Sequence, residues 1–178
     1  GVFGVKDQRP FISHRDDFVS EQADEAAQSG PLLLLRASAH AVTGVPMRAS
    51  RRALVGIDRD QKLIIAVTDN VIGGLHWAEL QEIFSAARWQ LQTPDLLSLD
   101  GGGSAQLYLK EGKFEEWVAG TAEVPVAILD VGATPRARRR CRKEQIHRRF
   151  QAEASRDERG VHLAARGALA HDVGEEVR

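Results

Sequence analysis

Over the first 131 positions the apolar residues fall into short runs, separated by polar or glycine-bearing breaks. That is the spacing of strands rather than of long helices. Val2–Val5 predicts a brief strand and Phe11-Ile12-Ser13-His14 a second one. From an N-capping Ser20, with Glu21, Asp24 and Glu25 near its positive end, a helix is expected to about Gln28. Ser29-Gly30-Pro31 would stop it, because proline cannot continue a helix. Leu32–Leu35 is uninterrupted and apolar, the pattern of a strand covered on both faces. Residues 37–46 read as a loop. Ala53–Asp58 and Leu63–Thr68 flank the polar Arg59-Asp60-Gln61 and predict a hairpin. After Gly73-Gly74, Leu75, Leu80, Ile83, Phe84 and Ala87 share one face of a second helix, with Trp77 flanking it. Strands on either side of Gly101–Gly103, a turn at Glu111-Gly112-Lys113 and a strand near Val124–Leu129 complete the pattern.

These elements predict an α+β domain over residues 1–131: a mixed, mostly antiparallel sheet with two packed helices. Beyond Val131 the composition changes. Residues 132–178 hold 12 of the 24 Lys+Arg but only 7 of the 25 Asp+Glu, leaving 12 against 18 in the first part. The net charge of −1 therefore conceals an acidic body and a basic C-terminal stretch, which is expected to be a flexible tail. The one cysteine, Cys141, excludes an intrachain disulfide but does not settle the compartment. No apolar run approaches the length of a membrane span. The chain begins with Gly1 rather than methionine, so a removed leader and a start inside a longer protein are both compatible with it.

The stretch Leu96-Leu-Ser-Leu-Asp-Gly-Gly-Gly-Ser-Ala-Gln-Leu-Tyr-Leu109 concentrates the candidate chemistry. It reads as strand, tight turn, strand, and three adjacent glycines carry a high entropic cost on ordering. The turn has three readings. Asp100 can serve as a general acid/base or nucleophile, with Gly101, Gly102, Gly103 and the Ser104 hydroxyl holding an anionic oxygen. It can bind phosphate or sugar without chemistry. Or it is only a glycine-rich hairpin in which Asp100 bonds its own turn. A nucleotide P-loop is excluded, because no Gly-Lys-Ser/Thr follows and the next element is a strand.

Several segments in order resemble the phosphodiester glycosidase family, which includes the mammalian "uncovering enzyme" and exopolysaccharide-associated bacterial relatives. Leu99–Leu109 resembles the family's Asp-Gly-Gly-Gly-Ser signature, although Ser98 stands where the family favours Asn. Gln28-Ser-Gly-Pro-Leu-Leu33, Arg51 with Ala53–Ile57, Gly73–Leu80 and Val124-Pro-Val-Ala127 resemble its other segments. Arg52 departs from the threonine the family favours after the arginine. The resemblance covers roughly residues 2–131 and implies further strands upstream of Gly1. It also implies a hydrolase cleaving a sugar-1-phosphate diester in a glycan or exopolysaccharide, at a secreted or periplasmic location. Asp100 would be the main carboxylate and Asp69 a second one. Arg51 would clamp the phosphate, with Gln28 and Ser29 lining the pocket.

Other candidates carry less. Asp58 reads as a turn residue, His76 as a surface residue at a helix start, and His14 with Asp16 and Asp17 as solvated loop residues. No spacing specifies a metal site, so no cofactor is called for, although a divalent cation is compatible. The basic run Arg136–Lys143 has no interleaved aromatics, so nucleic acid is not the expected partner. The alternative from another class is a noncatalytic carbohydrate- or phosphate-binding domain, or an inactive fragment of such an enzyme.

Overall fold

The structure, a computed structural model, describes residues 1–69, 73–111, 113–124, 155–156 and 161–167. Its centre is a seven-stranded sheet. Two of its members are β6 (Arg52–Ile57) and β7 (Leu63–Thr68), the expected hairpin. Asp58 makes the turn between them: its Oδ1 accepts from the Asp60 and Lys62 N–H groups, each at 2.8 Å. β8 (Asp95–Gly101) lies on the other side of β6, followed by β4 (Leu32–Leu35) and β5 (Ser38–Ala39). Outside β7 run β12 (Val161–Gly167) and β11 (Ser155–Arg156), so two pieces of the C-terminal stretch belong to this sheet. All of the sheet's pairings are antiparallel among the described residues.

One helix and four strands cover the sheet, and alternation along β6 and β7 sorts their contacts. Leu54, Ile64 and Ala66 point to one face. There they meet Trp77, Leu80, Ile83 and Phe84 of α1 (Trp77–Ser85). Val55 and Ile57 point to the other, against Phe3 of β1 (Val2–Lys6) and Ile12 of β2 (Arg9–Ser13). On that same side Ala53 and Val67 pack under β9 (Leu107–Glu111) and β10 (Phe114–Val118), a separate two-stranded sheet. Every residue of β6 is buried, which accounts for its continuous apolar run.

Three expectations are corrected. Ser20–Gln22 is a single 3-10 turn, and Glu25–Gln28 is a strand, β3, paired with β1. An eight-residue helix is marginal by itself, whereas an extended chain satisfies the open edge of β1. The domain therefore has one α-helix among the described residues, not two. Within α1, Trp77 is 4% exposed and belongs to the core rather than its flank, while Ala87 lies beyond the helix and is exposed. Finally, β8 and β9 are not a hairpin: β8 stays in the large sheet while β9 pairs with β10. The strand expected near residues 124–129, apart from Val124, and the basic run 136–143 lie outside the described residues.

Candidate functional site

One residue step at the start of β6 sends two arginines to opposite faces. Each is only 7% exposed. The Arg51 guanidinium reaches toward the β9–β10 side, where Nη2 donates to the carbonyls of Ala105 (2.8 Å) and Ala119 (2.7 Å). Its backbone carbonyl accepts the Gly102 N–H at 2.9 Å. Arg51 thus braces both ends of the glycine turn. Arg52 faces the helix side, with its guanidinium carbon 3.4 Å from the centre of the Trp77 ring, a cation–π contact. Its Nη2 donates to the Arg48 carbonyl at 2.9 Å. Burial first, then the charge of Arg48, hold the Arg52 guanidinium below its ordinary pKa.

Arg52 lines a cleft of about 450 Å³ that opens over the ends of β4, β6 and β8. Asp100, Gly101 and Gly102 form one wall, Ser29-Gly30-Pro31 another, and Arg48, Ser50 and Trp77 a third. β8 carries an irregularity there. Its register shifts between the pairing of Leu54 with Ser98 and that of Arg52 with Gly101, placing an extra residue in β8 beside Asp100. Gly74 supports the third wall from behind: at φ +111°, a Cβ there would overlap the Ser50 backbone.

The expected residues divide accordingly. Asp100 is exposed, and one carboxylate oxygen accepts the Gly101 N–H at 2.8 Å, the bond of the turn-only reading. Gly101, Gly102 and Ser29 line the same cleft. The N–H groups of Gly101 and Gly102 are committed to Asp100 and Arg51, so neither is open to a phosphate. Gly103 faces away, its carbonyl accepting from Thr121 (2.8 Å) and Ala122 (3.1 Å). Ser104, Gln28, Asp69 and the Arg51 side chain do not line the cleft. Asp69 follows the end of β7, and Asp58 is at the far end of the hairpin, where Ile57 pairs with Asp95. His76 caps α1: Glu79 accepts its N–H at 2.7 Å, and its ring Nδ1 lies 2.9 Å from the Met47 carbonyl. His14 accepts the Asp16 N–H through Nδ1 at 3.3 Å. No group of three or more potential metal ligands occurs among the described residues.

Sequence reasoning missed Arg48, Ser50 and Trp77 as wall residues, and Arg51, the expected clamp, lies on the face of β6 away from this cleft. Strand alternation was the available signal, since neighbouring residues on β6 cannot share a face.

Fold and cleft together define an antiparallel-sheet α+β domain whose pocket is lined by an exposed carboxylate and a buried guanidinium. The phosphodiester glycosidase family profile matches residues 1–129, and the chain belongs to that family. Two solved structures are similar over parts of it. A hypothetical protein from Synechocystis is 24% identical over 48% of this chain and 17% of that one, with a TM-score of 0.41. The second is the catalytic domain of zebrafish N-acetylglucosamine-1-phosphodiester alpha-N-acetylglucosaminidase, auto-inhibited by its pro-peptide. It is 19% identical over 59% of this chain and 40% of that one, with a TM-score of 0.45. The chain thus spans well under half the length of either. No curated protein matches it.

Proposed function

We propose that this chain is a hydrolase of sugar-1-phosphate diesters, acting on a glycan or exopolysaccharide-type substrate in the cleft beside Asp100. The observation that supports it is the convergence of Asp100, the glycine turn and a buried arginine on one cleft in a phosphodiester glycosidase family member. Asp100 supplies the carboxylate, taking the proton of the water that attacks the anomeric carbon. The bond from that carbon to the bridging oxygen breaks, and its electron pair leaves on the phosphate monoester. Phosphate monoesters are already anionic at neutral pH. Their departure needs no proton, so a single carboxylate suffices where ordinary glycosides call for two.

Release of free sugar and phosphate monoester from a panel of hexose-1-phosphate diesters tests this. Asp100→Asn is expected to lower the rate about 10²- to 10⁴-fold. Equal rates in the two proteins would remove Asp100 from the mechanism. One observation favours a noncatalytic carbohydrate- or phosphate-binding domain: Asp100 is the only acid lining the cleft among the described residues. That alternative predicts saturable binding of the diester with no turnover.

A further inference from the structure

Arg52 lines the cleft from the first position of β6. The side chain is buried, yet its Nε has no hydrogen-bond partner. A buried guanidinium nitrogen without an acceptor is costly, and native structures seldom leave one without a reason. Its Nη1 side lies against Gly101: a Cβ on that glycine would be 3.5 Å from Nη1. Only Nη2 is used, on the Arg48 carbonyl. Trp77 fixes the plane of the guanidinium from one side. Arg48 lines the same cleft, its side chain exposed, so two guanidinium groups approach one another there. Neither is in an ion pair with a carboxylate among the described residues.

We infer that Arg52, held by Trp77 and assisted by Arg48, is the anion-binding residue of the cleft, taking two oxygens of a phosphate group through Nη1 and the second N–H of Nη2 at the end of its guanidinium. An arginine fork presents two parallel N–H donors to such a group, and an anion between two cations relieves their repulsion. The Arg51 Nε is likewise without a partner, but the Arg51 side chain lies on the other face of β6, bonded to two carbonyls through Nη2, and does not line the cleft. The inference deepens the hydrolase reading and rests on it for the identity of the anion as a phosphodiester. Binding is nonetheless measurable without turnover.

Calorimetric titration of the whole chain with inorganic phosphate tests it, with folding checked by circular dichroism. Arg52→Thr and Arg52→Lys are each expected to weaken phosphate binding about tenfold or more. Arg48→Gln, at an exposed side chain, is expected to weaken it severalfold. Lys62→Gln, in the turn at the far end of β6, is expected to change nothing. A folded Arg52→Thr protein that binds phosphate as tightly as the parent overturns the inference. So does an equal loss in Lys62→Gln, which would mark diffuse charge attraction. Should Arg52→Thr fail to fold, unchanged affinity in Arg48→Gln overturns the two-guanidinium site. Phosphate binding retained in a chain that turns over no diester refutes the hydrolase reading and leaves this one standing.

Discussion

At the scale of single residues, adjacent arginines illustrate how identical chemistry serves unlike ends. Arg51 is a structural cation: two carbonyls from separate segments, Ala105 and Ala119, depend on one Nη2. Replacing it with methionine keeps the apolar stem and leaves both acceptors unpaired. The expected loss is about 3 kcal/mol, read from urea unfolding midpoints. Stability within about 0.5 kcal/mol of the parent would show that the brace is dispensable. The sequence displayed both arginines and flagged the second as unusual. It did not disclose which faced the cleft, because that depends on what covers each side of β6.

At the scale of elements, two tight hairpins use residues that composition hides. The β1–β2 turn holds Asp7 and Gln8 at φ 48° and 62°, and the β4–β5 turn holds Arg36 and Ala37 at 52° and 62°. Successive positive φ values are those of the two-residue turn that matches strand twist, where Asn-Gly is the usual signal. Neither turn contains glycine, so neither was legible as a hairpin. Tertiary contacts hold them instead: Asp95 accepts the Arg36 N–H at 2.7 Å, Pro94 the Ala37 N–H at 2.9 Å, and Asp24 the Asp7 N–H at 2.8 Å. Ala37→Gly should therefore stabilise the protein, by about 1 kcal/mol, since the left-handed region costs a non-glycine residue roughly that much. A lowered thermal midpoint would contradict the strain assigned to this turn. The expected helix at Ser20–Gln28 failed for a related reason. Its capping signals were local, whereas the open edge of β1 that draws Glu25–Gln28 into a strand is set by distant sequence.

At the scale of the whole molecule, β11 and β12 form one flank of the large sheet, and the β12 backbone pairs with β7 from Val161 opposite Thr68 to Gly167 opposite Leu63. Removing residues 132–178 would leave that edge of β7 unpaired, and unpaired edges template association. The truncated chain should self-associate with rising concentration more than the full chain, as followed by light scattering. Identical behaviour of the two would mean that β12 does not guard the edge. The sequence by itself determined the local periodicities: the 52–68 hairpin, the buried run of β4, the apolar face of α1 and the glycine turn with its acid. It also carried family membership, because those segments stand in order along the chain. The tertiary structure alone decided that β8 and β9 part into different sheets and that Arg52 rather than Arg51 meets Asp100 across a cleft. Alternation along a strand announces two faces but not their coverings. Those are supplied by α1 on one side and by β1, β2, β9 and β10 on the other, elements brought to β6 only when the chain folds.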